Sequence, residues 1–447
     1  MMTSIRRAWW AVLALVSGSW LLTEFGTLAA FSTIPLRSVL LQYSGLLAMS
    51  WMSVAMILAT RPGWAERRLG GLDKMYRLHK WVGVSALVVS LAHWLTVHAA
   101  AWASVLGRPP GTGHGPRAVA TNPIEQWLRG VRGEAEIAGE WAFYGVVILV
   151  VVSLATRIPY RLFYKSHRLL AACYLALVVH TVVLTKFTYW SSPVALILLP
   201  LLGWGTWASV IVLGRRVGRS RQTAGTIVAM EYYPGVHALE VSIEVPKGWP
   251  GHEPGQFAFV TSNASEGAHP YTMASAWQSG TTRLVFVVKE LGDHTTQLRT
   301  TLQLGQSVKV EGPYGQFTFA DTGSPQIWVG GGVGITPFIA RMKYLASQAQ
   351  RSTPHIDLFH ATAETDDTAF GKLQADADAS GVQLHLLVDA RDGFLTAARI
   401  CDAVPAWRDA TVWFCGPTPL GALLRRDLAR RGFDVDRCFH YELFALR

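Results

Sequence analysis

The apolar positions of this chain change their run length near residue 215. Before that point they come in stretches of about 20, long enough to cross a bilayer as helices. Six stand out, at 9–30, 39–59, 79–101, 141–156, 167–187 and 193–213. The fourth is short if begun at Trp141, and can reach back towards Ile137. Beyond 215 the runs shrink to strand length with turn residues between them, at 226–230, 239–245, 256–261, 284–288 and 307–311. That spacing predicts a small antiparallel barrel. From Gln326 onward, strand and helix patterns alternate, as in a doubly wound α/β sheet. The pattern thus predicts a multi-domain membrane protein. An all-α six-helix transmembrane bundle over 1–214 precedes an antiparallel β-barrel over 215–322 and an α/β doubly wound domain over 323–447.

Composition changes this picture little. Half of the 447 residues are hydrophobic and the net charge is +10. The positive residues gather at the ends of the apolar runs, so membrane topology accounts for most of that charge. Arg6 and Arg7 precede the first span. Arg61, Arg67, Arg68, Lys74 and Arg77 lie between the second and third, Arg157, Arg161 and Lys165 between the fourth and fifth, and Arg215, Arg216, Arg219 and Arg221 after the sixth. An excess of basic loops on one side predicts a plasma (inner) membrane protein with both termini cytoplasmic. The first span reads as an uncleaved signal-anchor helix. No basic-aromatic tract suggests nucleic acid as a partner. Cys173, Cys401, Cys415 and Cys438 show neither metal-ligand spacing nor a disulfide framework.

Histidines inside the apolar runs bring in chemistry. His79 and His93 sit in the third span, His167 and His180 in the fifth. Ionisable groups within a span are costly and functional by default. Neutral imidazole ligates iron, and haem iron can take one above and one below. Fourteen residues of helix rise roughly 21 Å and return to within about 40° of the same face. Thirteen rise roughly 20 Å but land about 140° away. The levels match, so His79 can pair with His167 and His93 with His180, provided that the fifth span bends or bulges. The alternative is four polar residues satisfied in helix contacts. His98 and His114 break the two-plus-two pattern, and Glu24 within the first span needs a partner or a wet pocket.

Four motifs mark the remainder. His269-Pro270-Tyr271-Thr272, with Ser275 beyond, offers an aromatic face and hydroxyls to a flat ring. Gly292-Asp293-His294-Thr295-Thr296 opens a helix whose free N–H groups suit a pyrophosphate. A strand runs into Gly330-Gly331-Gly332-Val333-Gly334-Ile335-Thr336-Pro337 and then a helix, an order that suits dinucleotide phosphate. Val412-Trp-Phe-Cys415-Gly416-Pro417 repeats the strand-then-turn form, with Cys415 as a buried core cysteine the alternative.

In these residues the chain resembles the NADPH oxidase and ferric reductase superfamily, its prokaryotic members included, over nearly its whole length. The resemblance implies a six-helix two-haem membrane domain joined to a ferredoxin-reductase-type dehydrogenase. FAD would lie at the His269 and Gly292 motifs, and NADPH or NADH at Gly330–Pro337. Cys415, Gly416, Pro417 and Phe444 would lie near nicotinamide and flavin. His79 and His167 would hold an inner haem b, His93 and His180 an outer one. Electrons would pass from cytosolic NAD(P)H to oxygen outside. Ferric iron, or a periplasmic redox partner, is the alternative acceptor. Three departures stand out. No Arg occurs near Ala363, where a 2′-phosphate wants a cation, though Arg391 could compensate. Leu446 takes one of two C-terminal aromatic slots. Tyr174, beside Cys173, stands at the level between the haems.

Overall fold

The computed structural model describes residues 2–29, 36–105, 120–155, 157–278, 280–319, 325–348 and 355–442. His114, Phe444 and Leu446 fall outside them. The chain divides into two compact units. One comprises Met1–Ala65 and Lys74–Val217, the other Glu66–Asp73 and Gly218–Leu446.

The first unit is helical. Its elements are α1 (Met2–Ala29), α2 (Leu36–Ala59), α3 (Gly63–Leu69, shared with the second unit), α4 (Leu72–Val105), α5 (Pro123–Gly130), α6 (Arg132–Leu154), α7 (Tyr160–His167), α8 (Leu169–Leu184) and α9 (Pro193–Leu213). Among the described residues, six stretches are long and apolar enough to cross a membrane. Leu22, Trp141, Leu196 and Trp207 lie well exposed on them. Such side chains suit a hydrocarbon solvent, and contiguous patches of this kind are rare on soluble monomers. α6 begins at Arg132, nine residues before the apolar run at Trp141. The helix starts ahead of the apolar run on an Arg132–Glu136 pair at 2.9 Å, one turn apart. Ahead of α6 the chain also forms helix α5, which the apolar pattern did not predict. Asn122 caps it through Ile124 N–H at 2.8 Å, with Pro123 in the first turn.

α6 packs on α8, α2 on α9, and α1 on both α2 and α9. Trp20, Met49, Tyr174, Tyr189 and Leu198 fill the space between. Among the described residues, α4 makes no comparable backbone approach to another element. The fifth span is broken at Arg168, directly after His167, so that α7 and α8 are separate helices. This is the interruption that a 13-residue histidine spacing demands.

The second unit has two sheets. Six antiparallel strands, β1 (Gln222–Tyr233), β2 (Ala238–Glu244), β3 (Phe257–Thr261), β4 (His269–Thr272), β5 (Arg283–Lys289) and β6 (Ser307–Tyr314), run in the order β4-β3-β6-β1-β2-β5. A bridge between Met273 and Phe286 draws the two edges together into a barrel. β4 has no counterpart among the five strand runs that the sequence pattern predicted. It is an edge strand, where Pro270 opposite Phe259 removes no essential ladder bond. Alternation buries Ile227, Val241, Ala258, Phe286 and Val310 inside. Helix α10 (Asp293–Thr301) follows β5.

The second sheet is parallel, with order β11-β10-β7-β8-β9. Its strands are β7 (Gln326–Gly331), β8 (Ile356–Thr362), β9 (Gln383–Val388), β10 (Thr411–Cys415) and β11 (Phe439–Tyr441). β7 leads through a 3₁₀ turn, Gly332–Ile335, into α11 (Thr336–Ala346), and α12 (Asp367–Ser380) follows β8. The strand order reverses between β7 and β10, which opens a crevice at their carboxyl ends.

Candidate cofactor and nucleotide sites

In the helical unit, His79 on α4 faces His167 at the end of α7. Their ring centroids are 5.9 Å apart with planes at 66°. Two imidazoles bound to opposite sides of one metal, with bonds of about 2 Å, would hold their centroids about 6 Å apart. His93 lies on the same helix α4, and His180 on α8, which follows α7.

All four rings are held through Nδ1. His79 meets Ala55 O at 2.9 Å and His180 meets Ala135 O at 2.8 Å. His93 meets Ser44 Oγ at 3.0 Å and His167 meets Ser153 Oγ at 2.8 Å. The two hydroxyls already donate to helix carbonyls, Leu40 O and Leu149 O, both at 2.6 Å. Each partner therefore accepts, each Nδ1 donates, and each Nε2 keeps its lone pair. Among the described residues, no cluster of three or more His, Cys, Asp or Glu could hold a bare ion. Paired imidazoles suit a group that brings its own equatorial ligands, as haem does.

Two glycines make room for these rings. A β-carbon at Gly139 on α6 would lie 2.0 Å from His180 Nδ1, and one at Gly45 on α2 would lie 3.3 Å from the His93 ring. Sequence reasoning missed both, and Ser44 and Ser153 too; small residues on neighbouring spans were the available signal. Tyr174 is buried, bonded to Ser53 Oγ at 2.8 Å, with its hydroxyl where a β-carbon of Gly205 would be. Cys173 packs against Gly145. Glu24 has its partners, accepting hydrogen bonds from Lys186 Nζ and Tyr189 Oη. His98 stacks on Trp94 at 4.5 Å and lies 3.8 Å from Glu140, apart from the paired histidines.

In the second unit, the barrel motifs converge. His269 on β4 stacks on His294, in the first turn of α10, at 3.8 Å and 10°. Burial first, then the neighbouring His294, hold the His269 imidazole down at about 4. Burial also lowers His294. The stack is thus of two neutral rings. Thr295 Oγ1 accepts from Gly292 N–H at 3.1 Å and Leu291 N–H at 2.9 Å, which fixes the entry to α10. Asp293 and Thr296 share that first turn, where Thr296 Oγ1 donates to Gly292 O. Thr272 and Ser275 are buried, and Ser275 Oγ accepts from Val285 N–H at 3.2 Å. The Tyr271 hydroxyl is buried with no hydrogen-bond partner among the described residues. Burial pushes its pKa up. An orphaned buried phenol on the strand that carries His269, together with the helix N-terminus at His294, fits a ligand with polar groups and an anion, as FAD has.

At the switch point the glycine turn and the Cys415 turn touch. A β-carbon at Gly334 would lie 2.2 Å from Cys415 O, and one at Gly331 2.7 Å from Pro417. One at Gly416 would lie 3.0 Å from the Gly331 backbone. Gly332 has φ +54°, and Gly330 closes β7 against Ile335. Thr336 and Pro337 open α11, with Thr336 Oγ1 donating to Val333 O at 2.8 Å. Burial pushes the Cys415 thiol far up, so it stays protonated within the core.

These features define a class: a multi-pass membrane protein whose second unit is a ferredoxin-reductase-type flavin and nucleotide fold. Residues 44–179 match the model of the ferric reductase like transmembrane component. Residues 223–318 match that of an FAD-binding domain. The two in this order match the architecture of the NADPH oxidase and ferric reductase superfamily. The chain is 24% identical over 208 residues to the 2-halobenzoate 1,2-dioxygenase electron transfer component of Burkholderia cepacia, covering 43% of this chain and 58% of that one. It is 32% identical over 174 residues to an NADPH oxidoreductase of Mycobacterium tuberculosis, covering 38% and 45%. It is 31% identical over 189 residues to ferric reduction oxidase 5 of Arabidopsis thaliana, covering 40% and 26%. The chain spans about half the length of the first curated relatives that it matches.

Proposed function

We propose that this protein is a transmembrane oxidoreductase that passes electrons from cytosolic NAD(P)H, through FAD and two b-type haems, to an acceptor on the outer face of the plasma (inner) membrane. Three modules share the relay, with residues 1–214 for haem, 215–322 for FAD and 323–447 for the nucleotide. The carrying observation is the four rings with Nδ1 anchored and Nε2 free, His79 facing His167 at 5.9 Å.

Bound FAD would take two electrons from a hydride and bound haem would carry them singly. The chain's residues position these groups. His79 and His167 would ligate the inner haem, His93 and His180 the outer one. The carbonyls and hydroxyls behind each Nδ1 fix ring orientation and tautomer. His269, Pro270, Tyr271, Thr272 and Ser275, with Gly292–Thr296, would hold FAD. The turn from Gly330 to Pro337 would take the nucleotide phosphates, with Cys415, Gly416 and Pro417 beside the nicotinamide. Phe444 belongs to the same proposal on sequence alone. A membrane negative inside favours outward electrons by about 2.3 kcal/mol per 100 mV.

His93 and His180 would hold the haem nearer the outer face, which would supply single electrons to a small acceptor there. We take oxygen, yielding superoxide, as that acceptor. The match to a ferric reductase component favours ferric iron or its chelates as the second reading. Absorbance of the purified protein before and after NADH or NADPH tests the relay. A Soret band that shifts on reduction supports it, and protein prepared with ample haem supply that shows no Soret band refutes it. Superoxide-dismutase-sensitive reduction of cytochrome c points to oxygen, undiminished anaerobic ferric reduction to iron.

A further inference from the structure

With a reduced nicotinamide dinucleotide as the donor, a reading on which this inference rests, one cleft in the second unit acquires a specific role. The barrel and the parallel sheet enclose it, with a volume of about 300 Å³. Gly332 and Val333 of the glycine turn line it, with His360 and Thr362 at the carboxyl end of β8 and Lys289 at the end of β5. In a doubly wound sheet, the residue just past the second strand meets the adenosine ribose. An acid there hydrogen-bonds a free 2′-hydroxyl, whereas a cation accepts a 2′-phosphate.

The second strand here is β8, and Glu364 stands just past its end. Its place is fixed. Its N–H donates to Thr362 Oγ1 at 3.2 Å, and its carbonyl accepts from that hydroxyl at 3.1 Å. Asp366 holds the rest of the turn, accepting from Gly235 N–H at 2.9 Å and Ala369 N–H at 3.0 Å. The turns touch so closely that a β-carbon at Gly235 would lie 2.0 Å from Thr365 O.

The Glu364 carboxylate holds Lys289 Nζ at 2.5 Å. The other lysines lining the cleft also face carboxylates. Lys343 meets Asp376 at 3.9 Å, and Lys372 meets Glu231 at 2.6 Å and Glu240 at 3.9 Å. Arg391, the compensating cation suggested by the sequence, is held by its neighbour Asp392 at 3.0 Å. The three lysines that line the cleft thus meet four carboxylates: Asp376 and Glu240 in its lining, and Glu364 and Glu231 just outside it. A 2′-phosphate would bring up to two further negative charges.

We propose that the Lys289–Glu364 pair sets the dinucleotide preference: Glu364 takes the ribose hydroxyls of NADH and keeps Lys289 from a 2′-phosphate, so the protein uses NADH over NADPH. The test uses the full-length, FAD-replete protein in detergent. Anaerobic flavin bleaching gives the second-order rate constant of flavin reduction by each nucleotide, and calorimetry compares adenosine 2′,5′-bisphosphate with 5′-AMP. Wild type should favour NADH and bind 5′-AMP more tightly. Glu364→Gln should move both ratios towards the 2′-phosphate by about tenfold to a hundredfold, the worth of one charge-assisted hydrogen bond. Adding Lys289→Met should cancel the gain, and Lys289→Met alone should weaken NADPH further. A wild type that favours NADPH, or Glu364→Gln ratios unchanged at full FAD content, overturns the proposal. Flavin that neither nucleotide bleaches overturns the donor reading itself, and the preference with it. Calorimetry separates the two failures, since it needs no electron transfer.

Discussion

Gly139→Ala would add one methyl group at the point where α6 meets the His180 ring. The new β-carbon would fall 2.0 Å from Nδ1 and 2.5 Å from Cγ and Cε1. Real contacts of this kind do not occur, so the ring must turn away. Turning breaks its 2.8 Å bond to Ala135 O. Overpacking of this sort costs about 1–3 kcal/mol, and the lost hydrogen bond about 1 more. A total near 3 kcal/mol would weaken haem retention at that level roughly a hundredfold. The assay is the pyridine haemochrome: on the proposed two-haem reading, haem per chain should fall from two towards one, with haem at His79–His167 retained. Gly133→Ala is the control on the same helix, since nothing lies within 4 Å of its added carbon. Gly139→Ala protein that keeps both haems with unchanged reduction potentials would refute the reasoning.

Three further outcomes are expected in the second unit. Tyr271→Phe removes a buried hydroxyl that has no protein partner among the described residues. The FAD-free protein should gain up to about 1 kcal/mol in unfolding while FAD binds about tenfold more weakly, as fluorescence titration would show. Gly334→Ala would press a β-carbon to 2.2 Å from Cys415 O, backbone against which nothing can give. Nucleotide-dependent flavin bleaching should drop at least about tenfold at normal haem content. Burial, partly offset by the bond to Gly330 O, holds His360 at about 4. A lowered folded value means that the unfolded chain binds more protons between about pH 6.5 and 4. Stability should therefore be full above about pH 6.5 and decline as pH falls towards 4, by up to about 3 kcal/mol from His360. His269 adds in the same direction. Thermal melts that are flat across that window would contradict this.

Much of the architecture was legible in the order of residues alone. Apolar run length set the six spans, because hydrocarbon thickness is a length that a sequence must match. The short strand runs and the glycine turn after β7 announced the two sheets, because period and turn chemistry are local. Even the break after His167 was implied, since thirteen residues cannot return an unbroken helix to one face. Strand β4 was not legible. His269-Pro-Tyr-Thr carries no alternation and contains proline, and it becomes a strand through its pairing with β3. Helix α6 likewise outran its apolar window, because hydropathy measures solvent rather than conformation.

The sequence by itself determined which groups could do chemistry: four imidazoles in apolar runs, hydroxyls and histidines in turns, glycines before a helix. Tertiary structure alone decided what each could do with its atoms. It put proton acceptors behind four Nδ1 atoms from neighbouring helices, and opened Gly139 to one ring. It also locked Lys289 of the barrel to Glu364, 75 residues away. Hydrogen-bond direction and charge pairing depend on separations of a few ångströms between distant segments, and linear spacing does not record those distances.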